Sequence, residues 1–429
     1  MKLVAIGIGS AIFGVNLLRD LFRTPEFRGS ELALVDIDAS ALDRMTRLAQ
    51  RLNRAARWDV TLESTSDRRE ALPGADFVVT AVAVDRIRTW RIDHELALRH
   101  GFPSVLSENG GPGGLSHTLR SVPLMLDIAA DIERLAPGAL LFNYTNPENR
   151  VCLALNRHRS VRTVGLCHSV AEAIDRCALV LGRDRTEIDA RAAGVNHLTW
   201  FVSIRDSTSG RDLMPDFQQR WRDSEEGGGP LTRLLFDQYG AVPAIDDGHI
   251  GEYLPWAAEL IGTAGYDFDG HERRAISAAE DVDAWGAGRL PVEPLLASPS
   301  AEARVDHSVA EIVADIVSGR TRRRPSFILP NAGLIDGMPD DSVVEVPGLV
   351  DAGSPRGVPV GALPEPIAAL VRQELAIQDL AVQAAVDGSR ELARQALLLD
   401  PVVSSAPAAD QFLDEVLRAH RACLPRFWS

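Results

Sequence analysis

Cysteine is scarce in this chain: four in 429 residues, at Cys152, Cys167, Cys177 and Cys423. That density excludes the disulfide scaffold of a small secreted domain. The spacings CxxC and HxxxH are both absent, so there is no structural zinc pattern. No apolar run approaches the ~20 residues that span a bilayer. The first one, LVAIGIG, is too short for a signal-peptide core and runs straight into a glycine turn. Excess positive charge is missing too. The formal net charge is −15, which argues against nucleic acid and anionic membrane surfaces as partners. Internal repeats and long low-complexity segments are absent. What is present is a globular composition, 45% hydrophobic and 24% charged, in a chain long enough for two sizeable cores. These features predict a soluble cytoplasmic enzyme.

The N-terminus carries the clearest local pattern. KLVAIGIGSAIFGVNLLRDLF reads as a buried strand, a glycine turn and an apolar-periodic helix. In the turn Gly7-Ile8-Gly9-Ser10, Gly7 permits a tight bend. Gly9 lets backbone approach a pyrophosphate at the helix N-terminus. The third position of a GxGxxG fingerprint holds Ile12 instead, and Gly14 comes two residues later. ELALVDID then reads as a second strand ending in Asp36. A carboxylate there accepts hydrogen bonds from both ribose hydroxyls and repels a 2′-phosphate, which favours NAD over NADP.

The α/β rhythm continues. GADFVVTAVAV has the continuous apolar run of a parallel, two-sided strand, and LRSVPLMLDIAADIERLAP is an amphipathic helix. GALLFNYTNP is a further strand ending in Asn143 and Asn146, and RTVGLCHS is the next. The fold class predicted is α/β, a Rossmann-type doubly wound parallel sheet. In such sheets the carboxyl ends of the strands face the ligand crevice, where Asn146, Cys167 and His168 fall. Between strand and helix lies SENGGPGGLSH, whose glycines around Pro112 suit close approach to a cofactor or sugar. Taken alone, a glycine-rich connection reads equally as a flexible surface loop. SEEGGGP and TRRRP read as polar breaks with solvated charges. AIDDGHIGEYLPWAAEL sets Asp246, Asp247, His249, Glu252 and Tyr253 ahead of an apolar helix, and two long helices close the chain. The division predicted is residues 1–195 as a dinucleotide-binding domain and 196–429 as an α+β domain for substrate and oligomerisation.

A buried Cys–His pair such as Cys167-His168 is by itself ordinary core. Its position after a strand of the nucleotide half, with GVNHLTWF supplying His197 further on, makes a metal site an open alternative.

Taken together and in order, GIGS, DID, ENGGPGG, LFNYTNPENRV, TVGLCHSV, GVNHLTWF, GHIGEYLPW and LPNAGLIDGMPDDSVVEVP resemble glycoside hydrolase family four nearly end to end. Members of that family are NAD- and divalent-metal-dependent glycosidases, similar in fold to lactate and malate dehydrogenases and an exception to two-carboxylate glycoside hydrolysis. The resemblance implies that NAD takes a hydride from C3 of the sugar, a base removes the acidified C2 proton, and a metal stabilises the enediolate. The glycosidic oxygen then leaves from C1, water adds, and the redox step reverses.

The resemblance also implies roles. Gly7, Gly9, Ser10, Asp36 and Asn143 would hold the cofactor. Cys167 and His197 would hold the metal, usually manganese, although a thiolate is softer than manganese ordinarily prefers. Glu108 and Asn146 would contact the sugar, with Arg91 and His249 as further substrate contacts. Arg91 either meets a substrate carboxylate or pairs with Asp93. His168 would protonate the leaving oxygen. Tyr253 is the first candidate for the C2 base, with Asp247 and His249 as rivals. The CHSV form resembles the branch acting on unphosphorylated α-galactosides, α-glucosides and α-uronides, in homo-oligomers of two or four subunits. Two other readings stay open: an NAD-dependent dehydrogenase of a hydroxy acid or polyol, which has no use for the metal pair, and a non-catalytic NAD sensor.

Asp36 makes the cofactor choice testable. Calorimetry should find NAD binding well and NADP at least tenfold more weakly, and equal affinities would remove the role assigned to this carboxylate.

Overall fold

The computed structural model describes residues 1–224, 226–300 and 308–428. Six parallel strands form its first half: β1 (Lys2–Ile6), β2 (Glu31–Val35), β3 (Thr61–Thr65), β4 (Phe77–Thr80), β5 (Leu140–Asn143) and β6 (Arg162–Gly165). Their order is β3-β2-β1-β4-β5-β6, the doubly wound arrangement predicted. The central strands are buried on both faces, which is why KLVAI and FVVT are apolar apart from Lys2 and Thr80 at their ends, whereas the edge strand TLEST is mostly polar. Successive side chains feed opposite cores. Val4 and Ile6 pack with the helices Gly111–Leu135 and Glu148–His158; Leu3 and Ala5 pack with Phe13–Leu21 and Ala39–Ala56.

The second half does not form a separate sheet. The strands β7 (Ile188–Val195), β8 (Leu198–Asp206), β9 (Arg322–Pro330) and β11 (Val343–Val350) extend the same sheet antiparallel, in the order β6-β9-β11-β7-β8. Two small pairings complete the strands: β10 (Ile335–Asp336) with β13 (Gly361–Ala362), and β12 (Pro355–Gly357) with β11. Residues 195 and 196, where the sequence reading divides the chain, lie at the turn between β7 and β8.

The C-terminal helices Glu365–Asp387, Arg390–Leu399 and Ala406–Ala419 return across the nucleotide half and share its core. Buried charges tie them down. Arg150 reaches Glu374 at 3.0 Å, and Asp93 takes both Arg120 at 2.6 Å and His420 at 2.8 Å. Two expectations need correction. Arg324 of TRRRP is not solvated: it lies in β9, buried against Asp315, because the strand's alternation turns it inward. Arg91 does not pair with Asp93, whose carboxylate is already taken by Arg120 and His420. Arg91 bonds Asp269 at 2.8 Å on the surface instead.

The missing third glycine of the fingerprint is supplied by Gly14. A Cβ there would lie 2.2 Å from the Ile8 carbonyl, so only glycine lets the helix Phe13–Leu21 sit this close to the turn. Helix propensity alone would make Gly14→Ala stabilising by ~1 kcal/mol. Overpacking against backbone outweighs it, so urea denaturation should show a net loss of about 1–3 kcal/mol, and a gain would refute the packing role.

Candidate active site

The carboxyl ends of the parallel strands gather the polar groups. Gly7, at φ +87°, turns the chain out of β1, and its N–H bonds the Val35 carbonyl at 2.9 Å. Gly9 N–H donates to Asp36 Oδ2 at 2.7 Å, and a Cβ on Gly9 would meet that oxygen at 2.6 Å. Ser10 Oγ accepts from Phe13 N–H at 3.2 Å and opens a helix with no acidic residue in its first turn. A turn with glycines at positions 7 and 9, an acid-free helix N-terminus and a carboxylate at the end of β2 fit a dinucleotide. Asn143 shapes the turn after β5: its Oδ1 accepts from Thr80 Oγ1 and from Thr145 N–H, both at 3.2 Å.

SENGGPGG is not a surface loop. Ser107, Glu108 and Asn109 are buried, and the glycines open the helix Gly111–Leu135. The glycines are required by packing. A Cβ on Gly113 would meet Ser107 Cβ at 2.3 Å, one on Gly114 would meet the Asn109 carbonyl at 2.4 Å, and one on Gly110 would meet Glu252 Cβ at 2.8 Å. The loop aims Glu108 inward. Its Oε1 accepts from Arg86 at 2.8 Å and from Asn146 Nδ2 at 3.2 Å. Burial alone would raise this carboxyl, but Arg86 with the His249 and His197 imidazoles outweighs it and holds the pKa at about 2.

His197 sits in the two-residue turn between β7 and β8 with φ +67°, a conformation costly for a side chain other than glycine. The turn directs its ring inward: Nε2 lies 3.5 Å from Cys167 Sγ, and Nδ1 lies 2.6 Å from Asn109 Nδ2. Burial, then His249, pushes the His197 pKa down to about 3, so it is a neutral imidazole, the form that ligates metals. Burial, then the Glu345 and Glu148 carboxyls, pushes the Cys167 thiol well up. A thiolate there calls for a cation at hand. A separation of 3.5 Å is the span across one ion with bonds of ~2.0–2.3 Å, so the pair fits a metal. The oxygen and nitrogen donors of Glu108, His197 and His249 also lie within 4.8 Å of one another.

The other predicted residues separate into two groups. His249 belongs to the cluster. Its ring stands edge-on to His197 at 4.4 Å, and its Nδ1 is 2.6 Å from Asp246. Burial opposes its charge, but Asp246 prevails and raises its pKa to about 9. His168 stands at the first position before the helix Ser169–Leu181, beside Cys167, without a capping bond from its side chain; it is half exposed, with Glu172 at 3.8 Å. Tyr253 is buried and donates to the Asn196 carbonyl at 3.3 Å, and burial, then Glu252, holds its phenol well up. Asp247 is not brought to the cluster. Its oxygens accept from Leu231 and Thr232 N–H at 2.9 and 2.8 Å and cap the helix Pro230–Tyr239. Arg91 also stays outside, on Asp269 and over the Phe268 ring.

Four participants went unassigned in the sequence reading. Arg86 stacks over Trp90 at 5.2 Å and reaches Glu108. Asn109 bridges to His197, Asp246 charges His249, and Glu252 accepts the N–H groups of Glu108 and Asn109. Asn109 and Glu252 stand inside the motifs ENGGPGG and GHIGEYLPW, and Asp246 stands with Glu252 in the polar run AIDDGHIGEYLPWAAEL, which are the signals that point to them.

A sheet ordered 3-2-1-4-5-6, with its polar groups gathered at the carboxyl edge, defines a Rossmann-type enzyme. Residues 2–182 match the family model described as Family 4 glycosyl hydrolase, and residues 192–403 match the Family 4 glycosyl hydrolase C-terminal domain. The chain belongs to family 4 of the glycosyl hydrolases. It is 30% identical to an alpha-glucosidase of Erwinia rhapontici, over 97% of each chain. It is also 30% identical to an alpha-galactosidase of Bacillus subtilis, over 99% of each. Among solved structures, a 6-phospho-alpha-glucosidase from gut microorganisms in complex with NAD and Mn2+ has a TM-score of 0.84 at 22% identity, over 98% of each chain.

Glu252 gives the site a pH signature. Burial, then the Glu108 charge, pushes it from 4.5 to about 8, although two backbone N–H groups oppose the shift. A raised carboxyl contributes stability that is complete below its unfolded value and is lost as pH rises through its folded value. Wild type should therefore lose ~1.4 kcal/mol per pH unit between about 4.5 and 8, relative to Glu252→Gln. Urea midpoints of the two proteins across that range test this, and a pH-independent difference would mean that Glu252 is ionised throughout.

Proposed function

We propose that this family 4 glycosyl hydrolase cleaves unphosphorylated α-glycosides, namely α-galactosides, α-glucosides or α-uronides, by oxidation at C3, deprotonation at C2 and elimination at C1. NAD and a divalent ion, manganese, are its cofactors. The observation that carries the reading is the 3.5 Å approach of Cys167 Sγ to His197 Nε2 beside the buried Glu108–Asn146 pair. The names of the two 30%-identical relatives support the sugar class, and the neighbour solved with NAD and Mn2+ supports the cofactors.

When bound, the nicotinamide and the ion would supply reversible C3 oxidation and charge stabilisation at the adjacent oxygens. The chain supplies the rest. Gly7, Gly9 and Ser10 receive the pyrophosphate, Asp36 receives the ribose hydroxyls in place of Gly9 N–H, and Asn143 holds the turn beneath. Cys167 and His197 hold the ion. Glu108, already ionised and aimed by Arg86, accepts from sugar hydroxyls, and Asn146 orients beside it. His168, half exposed at the edge, delivers a proton to the leaving oxygen.

Of the three candidates for the C2 base, Asp247 is taken up by helix capping, and His249 already carries its proton at neutral pH. Tyr253 stands with its hydroxyl at the Asn196 carbonyl next to His197; its buried phenol also keeps its proton at neutral pH and can act as the base only once a cation bound beside it lowers that hold. His249 is then a cationic donor to substrate oxygens. A dehydrogenase of a hydroxy acid or polyol leaves the Cys167–His197 pair without a use. Four free thiols and a net charge of −15 support a cytoplasmic protein without nucleic-acid or membrane partners.

Heavy water tests the mechanism. An activated aryl α-glycoside, hydrolysed with NAD and manganese present, should release sugar carrying deuterium at C2 without accumulating NADH. Product incubated alone is the exchange control. A two-carboxylate glycosidase leaves C2–H intact and a dehydrogenase builds up NADH, so hydrolysis without C2 deuterium would overturn the reading.

A further inference from the structure

The reading of Cys167 and His197 as metal ligands leaves open what makes His197 offer the correct nitrogen. A neutral imidazole carries one N–H, and only the other nitrogen has a lone pair for an ion. His197 Nε2 faces Cys167 Sγ at 3.5 Å, so the ligand form must carry its proton on Nδ1. The neighbour that decides this is Asn109, whose buried amide lies 2.6 Å from Nδ1.

The amide has two orientations of nearly the same shape. With Nδ2 toward the ring, Nδ1 must accept, the imidazole proton moves to Nε2, and the lone pair facing Cys167 is lost. In that orientation Asn109 Oδ1 is buried without a hydrogen-bond partner. Half a turn about the terminal torsion brings Oδ1 to Nδ1 instead. The orphaned acceptor then gains a donor, and Nε2 is freed.

We propose that Asn109 is a positioning residue that accepts His197 Nδ1–H and so fixes the tautomer whose Nε2 lone pair points at the ion site shared with Cys167. Its own placement is rigid. Asn109 N–H donates to Glu252 Oε1 at 3.0 Å, and Gly114 presses on its carbonyl, where a Cβ would stand 2.4 Å away. The same Glu252 oxygen takes the N–H of Glu108. One buried carboxyl thus sets both the sugar-facing acid and the residue that orients the metal-facing imidazole. Asn109 itself touches neither metal nor sugar in this assignment.

This inference rests on the metal reading, and the test separates the two. The full chain, labelled with 15N histidine and free of metal at pH 8, is examined by long-range 1H–15N correlation. Mn2+ alone is then titrated calorimetrically into wild type, Cys167→Ser, Asn109→Ala and Asn109→Asp. Wild-type His197 should be the Nδ1–H tautomer. Asn109→Ala should mix the tautomers and weaken Mn2+ by about 10- to 100-fold, with NAD affinity unchanged as the check on folding. Asn109→Asp keeps an acceptor and should restore both. A wild-type Nε2–H tautomer, or full Mn2+ affinity in Asn109→Ala, overturns the role of Asn109. If Mn2+ binds wild type and Cys167→Ser equally, the metal reading falls, and the tautomer of the metal-free wild type still decides this inference.

Discussion

The site depends on one buried carboxyl. Glu252 stands at the end of the short helix Asp247–Gly251, in the second half of the chain, and accepts N–H groups from Glu108 and Asn109 in the first. A buried loop between the helices Arg86–Arg99 and Gly111–Leu135 cannot satisfy its own amides, and burying them unpaired costs ~1–3 kcal/mol each. Glu252 resolves that cost from outside the loop. It thereby joins the two halves at the point where Glu108 meets Arg86 and Asn146, and where Asn109 meets His197. The glycines of the loop belong to the same packing, since a side chain at Gly110 would strike Glu252 itself and ones at Gly113 and Gly114 would strike Ser107 and Asn109.

Charge is distributed around that contact by burial. Glu108 is held ionised by Arg86 and its imidazole neighbours, whereas Glu252 and Glu345, equally buried, are pushed up to about 8 and about 7. His197 is neutral while His249, one ring away, is charged by Asp246. Within the cluster the carboxyls Glu108 and Glu252 are split, and so are the imidazoles His249 and His197, the first of each charged and the second neutral. In the function proposed, holding a cation, accepting sugar hydroxyls and moving protons call for that separation.

The sheet explains how residues far apart in sequence reach this cluster. The parallel half ends its strands at the crevice and delivers Asn143, Asn146 and Cys167. The antiparallel extension brings β7 and β8 alongside through β11, and their turn carries His197 to Cys167. The C-terminal helices then close over the nucleotide half through Arg150–Glu374 and His420–Asp93, so the second half braces the first.

Much of this was legible in the sequence. The strand–glycine turn–helix opening, the acid at Asp36 and the α/β rhythm behind the doubly wound sheet follow from local pattern, because strand ends and turns are local features; the pairing of Cys167 with His197 came only with the family resemblance. The family was legible because several motifs stand in order. Other features came only from packing. Gly14 replaces the absent third glycine through a distance to Ile8 that no spacing encodes. Arg324 is buried and Arg91 is not paired with Asp93, because the partners of a charge are set by which faces meet. Asp247 is a helix cap and Asn109 a neighbour of His197 for the same reason. The sequence by itself determined the elements, the crevice and the chemical types gathered there. Only the tertiary structure decided which carboxyls are ionised, which imidazole is neutral and which amide faces which ring, since burial and contact across the two halves set those states.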